Sequence, residues 1–543
     1  MVEVRRQTVS NLERRNISMD VGLFDGRLTR RQMLTMTAAG AGALALGGSA
    51  ATGVAAQDGE VVRGGSLRGA VVSPTTSMDP YTSKAASGDQ VCYRAMYNNL
   101  IDIGGTGEIF PELATEWTIS EDELTYTFTL VEGVTFHDGT VLDAEAIKVN
   151  LERNMAEGSS FGSADKLRVV ESIDASNPAL LMITLSTPTA PFLVTLSSVH
   201  IVSPKAIEEM GDDLSLHGVG SGPFTFVSWE PGSSAVFTRN ENYWETAPDG
   251  EPYPLLDELI VDGIPDDSVR VLNLRSGEFQ IVERINPRDI ASVASDPNIV
   301  TVETSHATPN LVAMNPNVAP FDNKLLRQAV SHALDRQAIV DNISFGTGYV
   351  TPMPFPKDSW FFIEEPTPVF DPEKAKALLA EAGYPDGIEV TMTHINRTID
   401  TQIAQIMKAQ LEAVGITMTI ESLERTTWVD MWAAGEGQLG LLQGGMAPTD
   451  PDAQTGIFRT DNLSNWTKWD NPELQELIEQ SNAVTDQEAR LAIWKDITAL
   501  VVDEAVYVFI GAIPTIAGLR ATVQDVAFMG GQVWDGTKMS IQE

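Results

Sequence analysis

The residues best suited to chemistry are sparse and do not converge. His137, His200, His217, His306, His332 and His394 are scattered, and no two stand at the helical or hairpin spacing of a metal-ligand pair. The sequence carries no His-Glu-x-x-His, no Gly-x-Ser-x-Gly and no Gly-Lys-Ser/Thr loop to cradle a phosphate. With 75 acids a glycosidase-like carboxylate pair can be picked anywhere, so such a pair has no weight without geometry. A lone cysteine, Cys92, excludes an intramolecular disulfide and a multi-cysteine zinc site. His137, in Phe136-His137-Asp138-Gly139, reads as a turn residue making local bonds. The expectation is a protein with no catalytic residue, no metal and no cofactor. What the residues can do is bind. Trp428 with Trp432 and Trp466 with Trp469 offer flat aromatic walls or core packing.

The elements that must position these residues change character along the chain. Leu124-Thr125-Tyr126-Thr127-Phe128-Thr129-Leu130 alternates apolar and threonine, the pattern of a half-buried strand. Val134-Thr135-Phe136 reads as a second short strand between turns, and Asp143 opens a helix. Gly222–Val227 and Ala235–Thr238 flank Pro231-Gly232 as a hairpin. From about residue 315 capped helices dominate. Asp322 caps one whose stripe is Leu325, Leu326, Ala329, Val330, Ala333 and Leu334, and Asp371-Pro372-Glu373 and Asn471-Pro472-Glu473 each combine a cap with a first-turn proline and an acid. Short β runs, Ile388–Met392 and Ile416–Ile420, lie between them, so the fold class is α/β.

Thr29-Arg30-Arg31-Gln32-Met33-Leu34 precedes an Ala/Gly-rich run from Met36 to about Ala51 and the small residues Val54-Ala55-Ala56. This is an export signal, with an arginine pair of the twin-arginine type, over residues 1–56. Threonines and glycines leave the run too weakly apolar for an anchor, and no cysteine stands near the cleavage position for a lipid. The chain holds 36 Lys+Arg against 75 Asp+Glu, a net charge of −39. Without the seven basic and four acidic groups of residues 1–56, the remaining 487 residues carry −42. Such an excess excludes a nucleic-acid binder and docking on an anionic membrane.

Many short stretches together resemble one family, the family 5 extracellular solute-binding proteins of bacterial ABC importers. They begin with Met78-Asp79-Pro80, Pro111-Glu112-Leu113-Ala114-Thr115-Glu116-Trp117, Gly133–Gly139 and Gly220-Ser221-Gly222-Pro223-Phe224. They continue with Asn242-Tyr243-Trp244, Arg327–Arg336, Asp371–Leu379, Asp450-Pro451-Asp452 and Asn471-Pro472-Glu473. The resemblance implies a two-lobed periplasmic binding protein fold (type II, cluster C-like) with an extra inserted domain. Lobe one is then 57–100, 217–314 and 505–543, the inserted domain 101–216 and lobe two 315–504. It implies a periplasmic monomer that captures a peptide, opine, nickel complex or related solute and hands it to a permease with its ATPase.

In peptide-binding members of that family an aspartate before the Asp-Pro-Asp segment pairs with the peptide amino terminus; here Ala447 stands at that place. A methyl group cannot compensate a buried ammonium, so the expected solute is a carboxylate-bearing organic compound, with an ordinary peptide second. Tyr81, Ser83, Ser87 and Tyr93 are expected on lobe one's side of the cleft. Arg397, Arg425, Trp428 and Gly444, Gly445, Met446 and Ala447 are expected to face them. A secreted hydrolase and a carrier of a nickel or other metal chelate are the alternatives.

Overall fold

The structure, a computed structural model, describes residues 61–83, 86–156, 164–444, 449–460, 462, 464–529 and 533–542. The expected signal over 1–56, and Gly445, Met446 and Ala447 of the expected site, lie outside the described residues.

A single ten-stranded sheet runs through both lobes. Its order is Ile416–Leu423, Ile388–Ile395, Leu439–Gln443, Ile299–Met314, Tyr507–Arg520, Ile281–Val282, Ser66–Val71, Glu258–Gly263, Ala235–Arg239 and Phe224–Ser228. The two central strands are long and antiparallel, and they are the crossover. Glu303 faces Ile516 at one end and Ala307 faces Pro514 at the other, with the register shifting between Glu303 and Ala307. On either side of that break the two strands pair with different neighbours, Asn310–Met314 with Leu439–Gln443 and Gly518–Leu519 with Ile281–Val282.

In lobe two, Ile388–Ile395 and Ile416–Leu423 pair in parallel along their whole length, joined by the helix Thr398–Glu412. That helix buries Ile403, Ala404, Met407 and Leu411, a stripe at helical spacing that packs on Val390 and Met392. The expected caps on Asp371 and Asn471 form: their carboxylate and amide oxygens accept from Lys374 N (2.9 Å) and Leu474 N (3.1 Å). The cap expected on Asp322 moves one residue, because Asn323 Oδ1 accepts from Leu325 N at 3.0 Å.

A separate four-stranded antiparallel sheet (Ala114–Ile119, Thr125–Leu130, Leu180–Leu185, Val170–Asn177) has its own core around Phe128, Ile147, Leu181 and Phe192. In Thr125–Leu130 the burial alternates as the sequence pattern requires, with Tyr126, Phe128 and Leu130 inward. Val134–Phe136 forms no strand. The segment closes on itself through Phe136 N to Thr140 O and Leu142 N to Val134 O, leaving only an isolated bridge between Thr135 and Val141. No helix among the described residues is long and apolar enough to cross a membrane.

The Gly220–Phe224 segment ties this unit to the helix Ser87–Met96. A Cβ on Gly222 would lie 2.4 Å from Met96 C and 2.7 Å from Ala95 O, both rigid backbone atoms. His137 Nε2 contacts Gly222 O at 3.0 Å, so the turn histidine has a structural partner. Gly222→Ala should therefore destabilise the protein by more than about 2 kcal/mol in chemical denaturation. An unchanged midpoint would show that the approach is not tight.

Candidate functional site

The short turn Pro80–Thr82 leads into the helix Ser87–Met96 and forms one wall of the interlobe region. Asp79, buried at the start of the turn, accepts from Tyr81 N and takes both forks of Arg153 from the helix Ala144–Met155, at 3.0 and 2.6 Å. The Arg153 guanidinium also stands 4.5 Å from the centre of the Tyr81 ring. Tyr93 is buried, and its hydroxyl donates to Ser77 O and Asp79 O, which fixes the turn. Ser83 Oγ donates to the buried Asp89, and Ser87 Oγ accepts from Ser73 N.

These residues open onto a cavity of about 430 Å³ whose walls come from three parts of the fold. Tyr81, Ser83 and Tyr93 face Arg153, Lys166 and His200 of the four-stranded unit, and Thr449, Asp450 and Ala453 close it from lobe two. Asp450 is itself held by Arg490 through two bonds of 2.5 and 2.8 Å, with both side chains almost fully buried. Asp452 receives Lys166 at 2.6 Å, Arg459 at 2.9 Å and Asn482 at 2.9 Å. Burial alone would raise its carboxyl, but those three donors hold it well below the usual carboxylate range.

With this geometry in view, the known proteins fall into place. The signature of "Bacterial extracellular solute-binding proteins, family 5 Middle" matches residues 108–466. The chain belongs to this family. Glutathione-binding protein GsiB of Pectobacterium atrosepticum is 26% identical over 456 residues, covering 81% of this chain and 87% of that one. Heme-binding protein A of Haemophilus influenzae is 28% identical over 464 residues, 79% and 82% of the two chains. Among solved structures, the periplasmic binding protein DppA of Helicobacter pylori in complex with peptide STSA superposes with a TM-score of 0.75. It is 26% identical and covers 89% of this chain and 99% of that one. The two-lobed fold expected of a family 5 protein is thus present, and the chain is a solute-binding protein of the ABC-importer type.

For a family 5 protein the structure distributes the expected site residues unevenly. Tyr81, Ser83 and Tyr93 line the shared cavity, whereas Ser87, Arg397, Arg425, Trp428 and Gly444 do not. Arg397 binds Asp400 within its own helix through Nε (2.8 Å) and Nη2 (2.7 Å), and that carboxylate is fully buried, so its fork is committed. Trp428 is 1% exposed and stacked on Trp432 at 5.4 Å, and its indole donates to Thr393 O. Its face has an aromatic partner already. Arg425, the first residue of the helix Arg425–Ala433, is exposed, and no carboxylate among the described residues pairs with it. Gly444 follows the strand Leu439–Gln443, with its N–H 3.4 Å from Pro309 O.

Sequence reasoning missed Arg153, Lys166 and Arg490. Each meets its acid across a long stretch of chain (Arg153 and Asp79 are 74 residues apart), and no local pattern announces such a pair. Among the described residues no three metal-ligating side chains form a group that could hold an ion. Burial pushes the Cys92 thiol up to about 12, which leaves it unreactive.

At the crossover itself, His306 Nδ1 lies 3.2 Å from Thr515 Oγ1, a contact between the two long strands at the register break. Burial, then the nearby Arg284, lowers the His306 pKa to about 4. The folded pKa lies below the unfolded value, so the stabilising contribution is complete above pH ~6.5 and is lost as the pH falls towards 4. Relative to wild type, His306→Gln should therefore gain about 2 kcal/mol of unfolding free energy between pH 8 and pH 5. Parallel pH profiles for the two proteins would contradict a neutral, buried histidine.

Proposed function

We propose that this protein captures a small carboxylate-bearing organic solute between its lobes, outside the cytoplasmic membrane, and presents it unchanged to an ABC permease and its ATPase. The observation that carries the ligand class is the contrast between the two lobe-two arginines. Arg397 neutralises a buried acid, while Arg425 stands exposed with no carboxylate partner among the described residues. In a chain of net charge −39, a guanidinium without an acid beside it suits a solute anion. Tyr81, Ser83 and Tyr93 belong to the lobe-one side of the proposed site, and Gly444 to its lobe-two side.

The same reading keeps 1–56 as a twin-arginine-type export signal without lipidation. It keeps 57–100, 217–314 and 505–543 as lobe one, 101–216 as the inserted domain and 315–504 as lobe two of a monomer. The protein is a receptor with no reaction of its own. The absence of a nucleophile–base pair in the sequence supports that over a hydrolase.

The relatives suggest probes, since glutathione is named for one of them and a peptide for another. Calorimetric titration should use glutathione, the dipeptide Met-Leu and the C-terminal amide of that dipeptide. A free carboxylate is expected to be required for stoichiometric binding. Arg425→Ala should weaken it by about 2 kcal/mol, roughly thirty-fold. Arg397→Ala should instead lower the melting temperature, because it leaves Asp400 buried without its cation. Equal binding of acid and amide would remove the carboxylate claim, and cleavage of the probe would make the protein a hydrolase. Binding only in the presence of Ni²⁺ would make it a chelate carrier.

A further inference from the structure

Among the described residues, three polar contacts join the four-stranded unit directly to lobe two. The first is Lys166, on the short helix Ala164–Leu167, whose Nζ lies 2.6 Å from Asp452 Oδ2. The second is a backbone bond, Ala190 N to Asn482 O at 2.8 Å. The third is Thr485 Oγ1 donating to Glu123 Oε1 at 2.7 Å, where Glu123 occupies a turn with φ +59°.

On the lobe-two side these contacts share one compact patch, the turn Pro451–Ile457 and the end of the helix Pro472–Ala483. Asp452 is the hub of that patch. Lobe two's own donors, Arg459 and Asn482, both hold Oδ1 at 2.9 Å, and Thr455 Oγ1 lies 3.3 Å from the same atom. The second oxygen, Oδ2, is then aimed outward at Lys166. With its first oxygen held by donors of its own lobe, this acid presents the second as a prepared receptor for one ammonium group.

The position of the contacts matters as much as their chemistry. Lys166 and Arg153 line the cavity from the four-stranded unit, and Thr449, Asp450 and Ala453 line it from lobe two, so the Lys166–Asp452 contact stands at the cavity's edge. Ala190–Asn482 and Glu123–Thr485 involve none of the cavity-lining residues.

We propose that Lys166 and Asp452, supported by Glu123–Thr485 and Ala190–Asn482, form a clasp by which the inserted unit holds lobe two closed without solute. Lys166 and Asp452 are positioning residues. They set how much of the unliganded protein is already closed, and so how much of the solute's binding free energy is left for affinity. The proposal rests on two-lobe closure but on no particular ligand, and its test uses unliganded protein. Failure of the carboxylate reading therefore leaves it standing.

Spin labels on Ser176→Cys and Glu479→Cys, two exposed positions on the two sides, report the separation by pulsed electron spin resonance. The buried Cys92 does not compete for label. Unliganded wild type should show a substantial short-distance population. Lys166→Met should reduce the closed-to-open ratio about three- to tenfold, with Thr485→Val adding a smaller shift. Lys166→Arg should restore it. Melting temperatures of the four proteins separate closure from folding, since Lys166→Met leaves Asp452 with Arg459 and Asn482. Identical distance distributions in wild type and Lys166→Met would overturn the clasp, whether or not the melting temperature moves. A wild-type distribution with no short-distance population would do the same.

Discussion

A carboxylate can be buried only with a cation or several donors against it, and this chain has 36 lysines and arginines for 75 acids. Where the few cations go is therefore structural information. Among the described residues, several are spent on buried acids, including Arg153 on Asp79, Arg397 on Asp400, Arg490 on Asp450, and Lys166 and Arg459 on Asp452. Two of these pairs join different parts of the fold. Asp79–Arg153 fastens the lobe-one turn to the four-stranded unit, and Asp452–Lys166 fastens that unit to lobe two. With acids so far in excess, a guanidinium without a carboxylate beside it is conspicuous.

The second constraint is the shared sheet. The two long strands carry neighbours on both sides, and their register slips between Glu303 and Ala307. His306 and Thr515 bond across that slip, and Tyr349 packs with Ala307 and Ala512 just beyond it.

Local features were legible in the sequence because they obey short-range rules. The alternation of Thr125–Leu130, the prolines and caps at Asp371 and Asn471, and the stripes of the lobe-two helices need only neighbouring residues to be read. The Val134–Phe136 strand was misread because β pairing needs a partner strand, and here the chain folds onto itself. The ten-strand order could not be read at all, since strands near residues 66, 260, 281 and 519 pair over hundreds of positions. The site was legible in part. Tyr81, Ser83 and Tyr93 do line one cavity, but the partners of Arg397 and Trp428 depend on Asp400 and Trp432 presenting themselves at the right angle. Arg153, Arg490 and Lys166 carry no sequence signal beyond being cations.

Native mass spectrometry of protein purified without denaturation addresses the central claim most directly. The account predicts one small organic acid retained per chain and released chemically unchanged on unfolding. A retained solute without an acidic group, or recovery of cleavage products after incubation with that solute, would contradict it.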